Sequence, residues 1–172
     1  MRSTLKRAAG PALVAGFVVV SFATPAAAQT PGSTAFRIFG NTVGVQSRTG
    51  VQNHVTAAVS NNRLILSDQA GIAAGPGCSQ VSATSADCGS VGSVARLLIA
   101  TGDQNDSVLV TAPVNSTVDI GTGVDSVTTG SGRDVIDVED NTGNDTVNCG
   151  GGSDLVFADS GDTIAANCES RF

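Results

Sequence analysis

From Asp106 to Ile164 the chain repeats a polar unit carrying one apolar residue in a fixed place. Asp106-Ser-Val108, Asp125-Ser-Val127, Asp134-Val-Ile136, Asp145-Thr-Val147, Asp154-Leu-Val156 and Asp162-Thr-Ile164 share the frame Asp-x-apolar, and Ser116-Thr-Val118 fills the gap. Successive units start ten, nine, nine, eleven, nine and eight residues apart, so the period is nine with small insertions and one deletion. Glycine keeps the same phase. Gly123, Gly132, Gly143 and Gly152 stand two before the Asp, and Gly102, Gly121, Gly130 and Gly150 four before it, with Asn141 as a stand-in.

The period predicts a tight turn, at Gly or Asn able to take positive φ, followed by about three extended residues. One such strand cannot bury its single inward Val or Ile. Stacked coils can, by forming a continuous apolar column with backbone hydrogen bonds between parallel strands. The expected fold is all-β, a right-handed parallel β-roll or β-helix spanning 101–172, with the Asp residues stacked along its edges.

The first half lacks the repeat but keeps the β-branched character. Ala35 to Val45, Val51 to Asp68 and Val91 to Ala100 read as short strands, and "HVTAAVSNNRLILSD" as a hairpin. Residues 35–100 are therefore expected to form irregular strands covering the open end of the ladder, whose bare edge would invite aggregation. Residues 29–34 read as a flexible terminus.

The amino-terminal end changes the picture of where the protein works. Arg2, Lys6 and Arg7 precede an apolar run from Ala8 to Phe22 and a small-residue stretch with Ala26 and Ala28 in A-x-A positions. Residues 1–28 read as a secretory signal peptide cleaved after Ala28, and no membrane span is expected after its removal. Its loss leaves six basic residues against fifteen acidic ones, a net charge of about −9. Thirteen of the acids lie between Asp103 and Glu169, where Arg133 is the one basic residue, so nucleic acid and anionic lipid are poor partners.

The chain has no Trp or Tyr, and beyond the signal segment its aromatics are Phe36, Phe39, Phe157 and Phe172. A core centred on aromatics is thereby excluded. Four cysteines, Cys78, Cys88, Cys149 and Cys168, fall in two local pairs, which allows three connectivities in principle. Nearest-neighbour pairing, Cys78 with Cys88 and Cys149 with Cys168, is the expected one in an exported chain, each bond contributing on the order of 3 kcal/mol. The spacings fit no zinc motif, and His54 lies far away in sequence.

"GTGVDSV", "GSGRDVI", "NTGNDTV" and "GGGSDLV" resemble the calcium-binding nonapeptide repeats of haemolysin-type β-rolls, whose pattern is G-G-x-G-x-D-x-U-x with U apolar. The resemblance implies calcium held by edge Asp carboxylates and carbonyls of glycine-rich turns. Carried over position by position, it makes Asp125, Asp134, Asp145 and Asp154 candidate ligands, with Asp106 and Asp162 at the frayed ends. It also makes Gly121, Gly123, Gly130, Gly132, Gly143, Gly150 and Gly152 the turn glycines.

The first Gly of the pattern is replaced by Ile120, Thr129, Asp140 and Cys149, and the Asp by Ser116 in one rung. The closing run "VNCGGGSDLVFADSGDTIAANCES" and the loop "GPGCSQVSATSADC" further resemble exported actinobacterial repeat proteins, which implies the same two disulfides. With nine residues per half-coil, Asp125 and Asp145 should share one edge and Asp134 and Asp154 the other. The second is the better candidate site because Gly150 to Gly152 leave its turn unobstructed. Asp137, Glu139 and Asp140 are assigned to an insertion, as surface residues or supplementary ligands.

Calcium of the weak affinity common in extracellular modules, 10⁻⁴ to 10⁻³ M in order of magnitude, is thus the expected partner. The competing reading is structural, with stacked Asp side chains accepting turn amides and no metal involved. Against it, carboxylates one coil apart lie roughly 5 Å from each other, which is unfavourable without a cation. Triad chemistry has little to work with, given one His, no Gly-x-Ser-x-Gly elbow and paired cysteines. The expected function is a secreted calcium-stabilised module with a structural or binding role. The alternatives are a metal-free cell-surface or cell-wall adhesion scaffold and, less favoured, a carbohydrate-active β-helix enzyme.

Overall fold

The computed structural model describes residues 30–38, 40–142 and 144–172. The signal segment and Gly143 lie outside them. Strands β8 (Arg96–Ala100), β10 (Asn115–Asp119), β12 (Val135–Val138), β14 (Leu155–Ala158) and β16 (Ser170–Arg171) stack as parallel neighbours in a first sheet. Between them in sequence, β9 (Ser107–Val110), β11 (Ser126–Thr128), β13 (Thr146–Asn148) and β15 (Thr163–Ile164) stack in a second. The chain crosses from one sheet to the other at every turn, so nine residues make half a coil. The parallel all-β roll that the period predicts is the observed architecture.

Register places the repeat's apolar residues in columns. Val45, Ile99, Val118, Ile136 and Val156 are lateral neighbours in the first sheet, and Val55, Val108, Val127, Val147 and Ile164 in the second. All but the terminal Ile164 are buried. Each of these strands thus contributes at least one branched aliphatic residue to the centre, and β8, β9 and β12 bury a second, Leu97, Val110 and Val138, with neighbouring coils supplying the rest of the contacts.

The amino-terminal residues extend both sheets. β1 (Ser33–Ile38) and β2 (Thr42–Ser47) form an antiparallel pair, with β5 (Ile72–Ala74) beyond β1 and β8 beside β2. β3 (His54–Ser60) and β4 (Arg63–Asp68) form the expected hairpin, followed outward by β7 (Ser85–Ser90) and β6 (Ser79–Ser82). Asn61 and Asn62 turn this hairpin with positive φ at both, the backbone twist that two-residue hairpin loops need. The first-half strands therefore cover the open end of the ladder.

Three local expectations need correction. The segment 29–34 is not a free terminus throughout, because Ser33 and Thr34 pair with Ser47 and Gln46, and burial of Ser33 holds them there. The run Val91 to Ala100 begins with a 3-10 turn, Val91–Ser93, before β8. Asp137 belongs to β12, pointing outward, and only Glu139 and Asp140 lie in the insertion after it.

The disulfides are Cys78–Cys88 and Cys149–Cys168. The first ties the turn residue just before β6 to β7, and the second ties the last full turn to the segment before β16. Among the described residues no helix is long and apolar enough to cross a membrane.

Candidate functional site

Each repeat Asp immediately precedes a strand, where the chain enters a sheet from a turn. That position places its carboxyl beneath the adjacent coil, and one oxygen accepts a backbone N–H there. On the first edge Asn53 N–H donates to Asp106 Oδ1 (2.7 Å), Asp106 N–H to Asp125 Oδ1 (2.6 Å), Asp125 N–H to Asp145 Oδ1 (2.7 Å) and Asp145 N–H to Asp162 Oδ1 (3.0 Å). On the second edge the N–H and hydroxyl of Ser116 both donate to Asp134 Oδ1 (2.7 and 2.6 Å). Asp134 N–H donates to Asp154 Oδ1 (2.8 Å) and Asp154 N–H to Glu169 Oε2 (2.9 Å).

The structure therefore brings Asp106, Asp125, Asp145 and Asp162 together on one edge, and Asp134 and Asp154 on the other, as the half-coil arithmetic requires. Two ladder members escape the sequence pattern. Asn53 ends the first edge, and its signal is legible afterwards as Asn53-His-Val55, the same frame with an amide for the acid. Glu169 ends the second edge in Glu169-Ser-Arg171, where no apolar residue marks it.

The second carboxylate oxygen is different. Oδ2 of Asp106, Asp125, Asp134, Asp145 and Asp154 is buried with no hydrogen-bond partner, in side chains at most 3% exposed. A buried acceptor without a donor is costly, more so when charged. Burial accordingly pushes the Asp125 carboxyl up to about 6, against the opposing pull of the Asp106 amide and with further upward pressure from Asp145, Asp106 and Asp140. Burial raises Asp106, Asp145 and Asp154 in the same way, again resisted by the amides they accept and reinforced by neighbouring acids.

The glycines serve mainly to let turns touch. A Cβ on Gly121 would lie 1.7 Å from the Gly102 carbonyl oxygen one coil away, and one on Gly152 1.9 Å from that of Gly132. Gly123, Gly132 and Gly150 meet carbonyls at 1.9–2.2 Å in the same way, and Gly130 at 3.0 Å. Positive φ, the expected reason, holds for Gly121, Gly150 and Gly152 but not for Gly123, Gly130 or Gly132. At Gly123 and Gly132 close stacking alone excludes a side chain, whereas at Gly130 a Cβ would be tight without overlapping.

Around the insertion the acids again accept amides. Asp159 Oδ2 takes the N–H groups of Asp140 and Asn141, Asp140 Oδ2 takes that of Gly123, and Asp162 Oδ2 that of Asp159. Among the described residues no three His, Cys, Asp or Glu side chains converge at metal-cluster spacing.

Fold and edges together define an all-β parallel roll closed by two ladders of buried carboxylates. Compared with known proteins, the chain matches no protein-family model, no curated protein and no solved structure.

Proposed function

We propose that this is an exported acidic β-roll whose edges bind calcium and whose folded state is stabilised by it, serving outside the cell as a structural or binding module. The observation that carries the reading is the set of buried carboxylate oxygens lacking any donor on Asp106, Asp125, Asp134, Asp145 and Asp154. They are acceptors of the hard type calcium prefers, they repel one another, and glycine leaves the stacked turn carbonyls free of side chains beside them. Asp134 and Asp154 would hold an ion on one edge, Asp125 and Asp145 on the other. Bound calcium supplies positive charge where the ladder has none, and binding only to the folded coil raises stability by mass action. Two disulfides, together with the signal-like residues 1–28, support an extracellular setting.

A metal-free adhesion scaffold is the second reading, favoured by the Oδ1 hydrogen bonds, which join the coils without an ion. Calorimetric melting of the signal-free protein in millimolar calcium and in chelator separates the two. A higher melting temperature with calcium is expected, and an unchanged one would overturn the calcium reading.

A further inference from the structure

The two sheets turn different outer faces to solvent. On the second, register puts Ser107, Ser126, Thr146 and Thr163 in one outward row, and Leu109, Thr128 and Asn148 in the next, with no charge in either. The first sheet is striped. Its middle outward row runs Phe36, Gly44, Leu98, Thr117, Val135 and Leu155, apolar but for Thr117. The Phe36 ring lies over Gly44, where a Cβ would come within 2.8 Å of it, and a cleft of about 370 Å³ opens beside the ring, walled by Phe36, Ile38 and Leu98.

Charges of opposite sign flank this row. Two residues before it on each strand stand the lateral neighbours Arg96 and Asn115, with Arg133 next, whose N–H donates to Asn115 Oδ1 (2.9 Å). Two residues after it stand Asp119 and Asp137, also lateral neighbours. All five are exposed. Among the described residues the one ion pair is Arg63–Asp87, so Arg96 and Arg133 have no carboxylate partner. Asp137 accepts only the N–H of Glu139 (3.2 Å). The basic and acidic rows are about 13 Å apart, four residues along a strand, with the apolar row between them. Within one chain they do not meet.

We propose that this face pairs with the same face of a second copy of the chain, about a two-fold axis running along the middle row. Such an axis reverses strand direction and keeps the order of the coils. The basic row of each copy then lies opposite the acidic row of the other, and apolar row meets apolar row. Arg133 faces Asp137, and Asn115 faces Asp119 with its amide nitrogen as donor, because its oxygen already accepts Arg133 N–H. Arg96 lies one coil, about 4.8 Å, from the facing Asp119, within the span of its side chain. A two-fold axis across the rows would instead set base on base and acid on acid, so the charges select the first arrangement.

The eight strands of this sheet and the three rows give a face of about 34 by 13 Å, a footprint of about 450 Å² on each copy. That is below the roughly 800 Å² a side of stable complexes, so the dimer is a weak and reversible one. None of these residues is a ladder carboxylate. The pairing is therefore independent of calcium at the repeat edges.

Sedimentation equilibrium of the signal-free protein in chelator, from about 10 μM to about 1 mM, tests the pairing. The wild type should show a monomer–dimer equilibrium that weakens as salt is raised. Arg133→Asp and Asp137→Arg should each associate at least about tenfold more weakly alone, because each sets like charges opposite one another in both contacts. Mixed in equal amounts, the two variants should recover the wild-type affinity, since each replacement then faces its opposite. A wild type that is monomeric at the highest concentration, single variants that associate as well as the wild type, or a mixture no better than its components would each overturn the pairing. Leu98→Glu, in the middle row, should be monomeric alone and in either mixture, and a dimer that tolerates it would overturn the proposal equally. Should a charge variant not fold, the comparison of wild type with Leu98→Glu decides.

Discussion

The backbone N–H of Asp125 donates to Oδ1 of Asp145 one coil away, at 2.7 Å, while Oδ2 of both residues is buried and unpartnered. One carboxylate oxygen thus fastens the coils and the other is left to oppose ionisation. Asp125, whose carboxyl ordinarily titrates at 3.8, is pushed to about 6 in the fold, so the folded state holds a proton that the unfolded chain has lost between those values. The destabilisation is absent below pH 3.8 and complete above about 6. In chelator the melting temperature should therefore be several degrees higher at pH 5 than at pH 7.5, and Asp125→Asn should flatten the dependence. Asp87, held low by Arg63, acts only below this window. Millimolar calcium should reverse the slope, because a bound cation favours the ionised form. Melting scans across pH, with and without calcium, check both signs.

Asp134 accepts the amide and the hydroxyl of Ser116 on one oxygen, so Asn can replace it and Ala cannot. In chelator, Asp134→Asn should melt within about 0.5 kcal/mol of the wild type or above it, whereas Asp134→Ala should cost about 1–3 kcal/mol by stranding two donors. In calcium, Asp134→Asn should lose part of the ion-dependent stabilisation. Urea unfolding of the three proteins in both conditions measures the differences.

Two glycines with similar backbone separate strain from stacking. Gly102 and Gly121 both have positive φ, but a Cβ on Gly102 meets nothing within 4 Å, while one on Gly121 would lie within a carbonyl oxygen. Gly102→Ala should cost about 1–2 kcal/mol, the penalty of a left-handed conformation. Gly121→Ala should cost more than about 3 kcal/mol or prevent folding, since the two turns must separate. Denaturation midpoints compare the pair.

The Cys149–Cys168 bond closes a loop of sequence separation 19, with both cysteines buried. Its replacement by two alanines should destabilise the protein by about 3 kcal/mol. Because coils contact mainly their neighbours, the loss should be concentrated near the carboxyl end. Amide exchange should accelerate in β13 to β16 and stay slow in β3 and β4, as mass spectrometry of peptic fragments would show.

A nine-residue period with one branched aliphatic per unit has few ways to bury that residue, so the stack of parallel coils, the Val and Ile columns and the assignment of Asp125 and Asp145 to one edge and Asp134 and Asp154 to the other were legible from Asp106 to Ile164. Each of these follows from local spacing repeated. The amino-terminal part was legible as strands and a hairpin but not as a register, because Ser33 to Ser47 and Asn53 to Asp68 carry no repeat to phase them. The reason for the glycines was half visible. Positive φ is a property of one residue, whereas the approach of Gly121 to Gly102 exists only between coils.

The sequence by itself determined the period, the polarity of each position and hence the two-sheet roll. Only the tertiary structure decided what the carboxylates do, since an Asp-x-Val unit reads the same whether its oxygens face water, an amide or an ion. Stacking assigned Oδ1 to the neighbouring amide and left Oδ2 in the dark. It also joined Asn53 to Asp68 and Asp106, 15 and 53 positions further along the chain, at one polar end of the interior. The physical reason is that hydrogen bonding and burial are properties of pairs brought together from distant coils, and no periodicity along the chain records them.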